Sequence, residues 1–231
     1  MLTDAKQGVL LLSGGLDSAT VAAMASAEGW TLHGLSFDYG QKQRVELERA
    51  AELADHFELA SHTVFQVNLG LFGQSSLTDA ALDVPKGRSL EAIGSGIPTT
   101  YVPARNTVFL SLALALAESL ELRHLFLGVN ALDYSGYPDC RPDFIAAFER
   151  LANAATKAAD GGQPYQVHAP LLHMTKAEII ETGLGLGLDY GLTRSCYEVG
   201  DDGRSCGGCD ACKLRLAAFE EVGQVDPIPY R

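Results

Sequence analysis

The sequence predicts an α/β protein with a parallel, Rossmann-like sheet, and three observations predict it. Short apolar runs with β character alternate with longer helix-like segments along the chain, and a turn rich in Gly and Ser joins the first such run to the first helical segment. The 231 residues are 47% hydrophobic and 20% charged, which is enough apolar surface for one sizeable core. In chain order the expected strands are Gly8 to Leu12, Thr31 to Ser36, His62 to Val67, His124 to Gly128 and Gln166 to Ala169. Helices are expected to begin near Ser18, Gln41, Asn106, Arg141 and Thr175, the last with a capping-box pattern that pairs Thr175 with Glu178. From Leu69 to Thr100 the chain is rich in Gly, Ser and Pro without a clear period, and is read as a mobile loop covering a substrate.

Composition also removes whole classes of function. Seventeen basic against 29 acidic residues leave a net charge of −12, which disfavours a nucleic-acid backbone and favours a small-molecule substrate. Five cysteines cannot all pair, so a disulfide framework is not expected. Only Lys6 precedes the first short apolar run, and "VFLSLALALAESL" is too short to span a bilayer; the expected location is the cytoplasm.

The turn itself, "LSGGLDSAT" from Leu12, carries the first chemistry. Glycines let backbone N–H groups approach an anion, and the positive end of the following helix adds to the attraction. A Walker loop would place a lysine on the outer phosphates, whereas this loop offers the Ser13 and Ser18 hydroxyls and Asp17. The plain alternative is a tight turn with a helix cap. Near the C-terminus Cys196, Cys206, Cys209 and Cys212 fall within seventeen residues, with two C-x-x-C spacings sharing Cys209. Four converging thiolates suit one Zn²⁺; an iron–sulfur cluster or a redox dithiol are the alternatives. Cys140 stands apart and is not assigned as a ligand.

The loop is similar to the PP-loop of the ATP pyrophosphatases. Joined to "FDYGQ" from Phe37, "VPARN" from Val102, "GVNALDYSGYPDCRPDF" from Gly128, "APLLHMTKAEI" from Ala169 and the cysteines in this order, it makes the chain closely resemble the QueC family, the 7-cyano-7-deazaguanine synthases of queuosine biosynthesis. The resemblance runs nearly end to end, with little of it between Leu69 and Thr100. It implies an adenine nucleotide alpha hydrolase-like fold, with an ATP-binding domain over residues 1–190 and a zinc-binding segment, 191–231, packed on it. It implies a ligase forming C–N bonds, in which ATP drives conversion of 7-carboxy-7-deazaguanine and ammonia to the nitrile through adenylated intermediates. Mg²⁺, one Zn²⁺ per subunit and a homodimer come with it.

Residue roles follow as expectations. Leu12, Ser13, Gly14, Gly15, Leu16, Asp17, Ser18, Ala19, Thr20, Val21 and Ala22 form the nucleotide-binding run, with Phe37, Asp38 and Tyr39 at the next strand end placed for adenine or ribose. Asp17 is weighed equally as a Mg²⁺ ligand or a helix cap, and it is grouped with Ser18, Arg105 and Lys176 as the catalytic set, the two cations stabilising phosphoryl charge. Asp133, Tyr134, Tyr137, Asp139 and Arg141 are the expected deazaguanine contacts, against the alternative of a rigid loop with packed tyrosines. Two other functions compete with this reading. A PP-loop tRNA thiolase would need a basic face, and a non-catalytic zinc and nucleotide module would turn over neither substrate.

Overall fold

The computed structural model describes residues 6–93, 95–131 and 136–231. Five parallel strands, β1 (Gln7–Leu11), β2 (Thr31–Asp38), β3 (Ser61–Gln66), β4 (His124–Phe126) and β5 (Gln166–His168), form one sheet in the order β3-β2-β1-β4-β5. All five lie within two residues of their expected positions. Side chains alternate across a strand, so Val9 and Leu10 of β1, both fully buried, enter opposite cores.

Among the described residues there are eight α-helices, six in the connections between strands and two after β5: α1 (Leu16–Ala27), α2 (Val45–His56), α3 (Leu90–Ile93), α4 (Arg105–Ser119), α5 (Pro142–Ala155), α6 (Lys157–Asp160), α7 (Lys176–Gly185) and α8 (Asp210–Glu221). The core on one face joins β1 and β4 to α1, α2, α7 and α8 through Leu10, Phe126, Val21, Leu53, Ile179 and Phe219. The opposite core joins Val9, Leu35 and Leu125 to α4 and α5 through Leu110, Ile145 and Phe148. The capping box at α7 forms as expected: Glu178 N–H donates to Thr175 Oγ1 at 3.2 Å and Thr175 N–H to Glu178 Oε2 at 2.7 Å.

Three elements differ from expectation. α2 begins at Val45 rather than near Gln41, because the Gln41 side chain closes a turn, accepting from Tyr39 N–H at 2.8 Å and donating to the Phe37 carbonyl at 3.0 Å. α8 was not expected at all. The segment from Leu69 to Thr100 is not a free loop: it contains a 3₁₀ turn (Leu69–Phe72) and α3, and is strapped to the cysteine segment. Gly87 N–H donates to Gly208 O at 3.0 Å, Lys213 Nζ to Arg88 O at 2.7 Å, and Arg88 pairs with the buried Asp210 at 2.7 Å.

The C-terminal tail is locked by a buried ion pair. Arg215, 1% exposed, holds Asp226 with Nε and Nη2 at 2.7 and 2.9 Å, and its remaining donors reach Thr193 Oγ1 at 2.6 Å and Tyr190 O at 3.0 Å. Removing one partner of such a pair leaves a buried charge, so Arg215→Ala is expected to lose about 3–5 kcal/mol of unfolding free energy. Urea denaturation measures it. Arg215→Met with Asp226→Leu, which removes both charges, is expected to recover most of that loss.

Candidate active site

β1 ends at Leu11, and the chain turns across the carboxyl ends of the strands. The sheet order reverses between β1 and β4, the place where open α/β sheets bind their ligands. A cavity of about 240 Å³ lies there, with walls from the β1–α1 loop, the ends of β2 and β4, the first turns of α2 and α4, and the cysteine segment.

The loop is held by its own hydroxyls. Ser13 N–H donates to Ser18 Oγ at 3.1 Å, the two hydroxyls lie 3.1 Å apart, and Ser18 Oγ donates to Gly15 O at 3.2 Å. Gly14 has φ +78°, and a Cβ there would lie 2.2 Å from Glu46 O, so only glycine lets the loop pack on α2. Beside it, a Cβ on Gly128 would meet Asp17 C and Ser18 N at 2.9 Å; its absence lets the end of β4 approach the first turn of α1. Gly15 is the N-cap of α1 and supplies no side-chain cap, so the helix start, Gly15 to Ser18, opens into the cavity.

Of the expected nucleotide-binding run, Leu12, Ser13, Gly15, Leu16, Asp17 and Ser18 line the cavity. Gly14 packs on α2, and Ala19, Thr20, Val21 and Ala22 are buried one turn further into α1, away from the cavity lining. Thr20 Oγ1 instead meets Tyr190 OH at 2.8 Å. Asp17 is not a cap: its carboxylate accepts from Lys176 Nζ at 2.7 and 3.0 Å, and Lys176 is 8% exposed. Lys176 therefore stands behind Asp17 rather than in the cavity wall. Phe37 and Tyr39 line the cavity, whereas Asp38 turns outward to Arg44 at 3.1 Å. Arg105 lines it, with its guanidinium carbon 5.9 Å from the Tyr39 ring centroid.

The expected substrate contacts separate. Tyr137 lines the cavity, its hydroxyl 2.6 Å from Thr100 Oγ1, and burial raises its pKa above the ordinary tyrosine value. Asp139 lies outside the lining and accepts from Asn106 N–H at 2.9 Å, satisfying a donor at the start of α4. Arg141 is exposed as the N-cap residue of α5 and also lies outside the lining. Asp133 and Tyr134 lie outside the described residues. Cys140 faces the cavity, accepting from Asn106 Nδ2 at 3.3 Å; burial pushes its thiol up to about 12, which keeps it protonated.

Sequence reasoning missed Glu46, Asn106, Phe109, Asn130, Arg194 and Tyr197, all in the cavity wall. Glu46 did leave a signal: it precedes Ala50 by one turn, so an acid occupies the buried stripe that continues through Leu53 and Ala54. Phe109 stacks on Phe37 with centroids 3.9 Å apart and planes 4° from parallel.

The four cysteines Cys196, Cys206, Cys209 and Cys212 converge, with all sulfurs within 4.8 Å of one another, so together they can hold a metal ion. Backbone N–H groups of Glu198 and Cys206 donate to Cys196 Sγ at 3.3 and 3.2 Å, and Cys209 N–H to Cys206 Sγ at 3.3 Å. Cys209 caps α8 and Cys212 lies in its first turn, where the helix dipole favours thiolates. Hydrogen bonds from Cys209 and Cys212 hold the Cys196 thiol far down, and the Cys196 thiolate drives theirs up. Tyr197 and Ala211, neighbours of two of these cysteines, line the cavity, so the cysteine segment also forms part of the site.

Residues 7–223 match the family described as "Queuosine biosynthesis protein QueC". The chain belongs to the QueC family. It is similar to the 7-cyano-7-deazaguanine synthase of Pseudomonas putida, 57% identical over 225 residues that cover 97% of this chain and 98% of that one. The protein of the same name from Pseudomonas fluorescens is 56% identical across 98% and 99% of the two chains. Among solved structures, NMN synthetase from Francisella tularensis shares the fold, with a TM-score of 0.51 and 18% identity over 96% of this chain and 79% of that one. No helix among the described residues is long and apolar enough to cross a membrane.

Proposed function

We propose that this protein is an ATP-dependent 7-cyano-7-deazaguanine synthase, converting 7-carboxy-7-deazaguanine and ammonia to the nitrile in queuosine biosynthesis. One observation carries the reading: the phosphate-cradling loop and the Tyr137 segment meet in a single cavity, in a chain 57% identical, nearly end to end, to a curated 7-cyano-7-deazaguanine synthase. A carboxylate is a poor electrophile toward ammonia, since oxide would have to leave. An adenylate lets AMP leave instead, and the amide oxygen needs the same activation again before the nitrile can form.

The residues divide the work. The open start of α1 and the hydroxyls of Ser13 and Ser18 hold the departing pyrophosphate. Arg105 and Lys176 meet phosphoryl charge, and the Asp17 carboxylate, positioned by Lys176, would hold Mg²⁺, which would neutralise phosphate charge. The Phe37 and Phe109 pair and Tyr137 offer aromatic faces to the two ring systems. Phe37 and Tyr39 remain the proposed adenosine contacts and Tyr137 the proposed deazaguanine contact; Asp38, Asp139 and Arg141, engaged at or turned to other places, are weaker candidates. Zn²⁺ fits the four thiolates: tetrahedral Zn–S bonds of about 2.3 Å imply S···S edges near 3.8 Å, and Cys206 Sγ and Cys212 Sγ lie 3.9 Å apart. When bound, the ion supplies a structural cross-link rather than chemistry. The net charge of −12 argues against a tRNA substrate, and the proposed setting is a cytoplasmic homodimer.

The direct test is incubation of the purified protein with ATP, 7-carboxy-7-deazaguanine and ammonium, followed by mass analysis. The nitrile should form with AMP and pyrophosphate. Release of AMP without nitrile would refute the assignment.

A further inference from the structure

One carboxylate in the cavity wall has no role in the steps above. Glu46, in the first turn of α2, lines the cavity with Ser13, Arg105 and Tyr137. The other acids close by are engaged: Asp17 with Lys176, Asp38 with Arg44, and Asp139 with Asn106 N–H. Among the described residues none donates a hydrogen bond to the Glu46 carboxylate, and none pairs with it.

The nitrogen half of the reaction needs such a group. Acylation of ammonia forms a C–N bond and breaks the bond from carbon to the AMP oxygen, whose electron pair leaves on AMP; one N–H proton must depart to give the neutral amide. Dehydration removes more. The amide oxygen leaves on the second AMP, the nitrogen lone pair becomes part of the triple bond, and both remaining N–H protons are lost. The loop, Arg105 and the Asp17–Lys176 pair handle phosphate charge, and none of them is placed as a free base.

Resting on the reaction proposed above, we propose that the Glu46 carboxylate is the proton acceptor for this nitrogen chemistry, taking N–H protons one at a time and returning them to solvent through the cavity mouth. Its surroundings suit the role. Burial pushes its acid up to about 7, while Arg105 from α4 pulls the other way and the negative charge of the Cys196 thiolate on the cysteine loop pushes with burial. Tyr39, at the end of β2, also feels its charge and stays neutral, because burial raises that phenol to about 12. Asp17, Lys176 and Arg194 stand on the loop side of the same wall or behind it. A base whose acid lies near neutrality accepts a proton and gives it up again at little cost in either direction.

The test compares wild type with Glu46→Gln and Glu46→Asp in two assays: pyrophosphate release in a single turnover of acid with ATP, and nitrile formation from the synthetic amide with ATP. Glu46→Gln is expected to keep pyrophosphate release while nitrile formation falls about 100-fold. Glu46→Asp is expected to recover part of that loss. Wild-type nitrile formation should rise with pH along a limb near 7 that is missing in Glu46→Gln. Because the folded acid is raised, the folded state holds this proton more tightly than the unfolded chain, and stability falls as pH climbs from about 4.3 toward 7. Glu46→Gln avoids that cost and should melt at or above wild type at pH 8. A Glu46→Gln enzyme that makes nitrile at the wild-type rate overturns the role, as does one that loses pyrophosphate release to the same degree. Wild type that releases pyrophosphate but makes no nitrile overturns the reaction itself, and this role with it.

Discussion

Cys209→Ser is expected to lose the bound metal and to melt far below wild type in the same step. Cys209 is fully buried, caps α8, and pairs by a backbone bridge with Lys86 of the 69–100 segment, so three parts of the chain converge on it. Structural zinc in small domains contributes about 10–16 kcal/mol of apparent binding free energy, against a typical total stability of roughly 5–15 kcal/mol. This chain has two further cores, so the sheet should persist while the segments from Leu69 to Thr100 and from Thr193 to Cys212 loosen. Metal analysis should find about one zinc per chain in wild type, and limited proteolysis of the variant should cut first in those two segments. Activity should vanish too, since Tyr197 and Ala211 belong to the cavity wall. Cys140→Ser is the control, because that thiol bonds to Asn106 and lies outside the cluster. If Cys140→Ser loses the metal while Cys196→Ser retains it, Cys196 is not the fourth ligand.

What made the fold legible also explains what stayed hidden. Strands β1, β2 and β4 could be read because their burial follows directly from apolar runs such as Val9 to Leu12; the edge strand β3, exposed at nearly every position, could be read from Thr63, Val64 and Phe65, residue types that favour strands. α8 could not, because its buried residues are Asp210, Ala211, Cys212, Arg215, Ala218 and Phe219. Three of those six look polar or reactive in sequence and are buried only because Arg88, a cysteine cluster and Asp226 are there to receive them. The site divides in the same way. The PP-loop and the cysteines were visible because their chemistry is local in sequence. Lys176 was found as a cation, but its partner lies 159 residues away and its engagement with Asp17 is a product of packing α7 beside α1. The Tyr137 neighbourhood read as one binding cluster, yet Asp139 turned to the start of α4, where an unsatisfied N–H had the stronger demand.

That engagement changes what substitution of Asp17 should do. Were Asp17 only a phosphate-site residue, Asp17→Ala would leave stability untouched. Because its carboxylate accepts two bonds from the largely buried Lys176, the variant should also lose on the order of 1–3 kcal/mol, less than the ~3–5 kcal/mol of a fully buried pair, since Asp17 retains 23% exposure. Lys176→Ala should lose a similar amount, and the double variant less than the sum; urea unfolding of the four proteins measures that coupling. Catalysis should behave differently. Loss of one charge-organising group at a transferring phosphate costs about 10²–10³ in rate; in the proposed reaction one loop serves both activations, so Asp17→Ala should slow acid-to-amide and amide-to-nitrile conversion by the same factor. Wild type given the amide and ATP should make nitrile with no ammonium present. If the amide gives no nitrile where the acid with ammonium does, the loop activates only the first step. If Asp17→Ala slows the two halves unequally, they do not share this phosphate site.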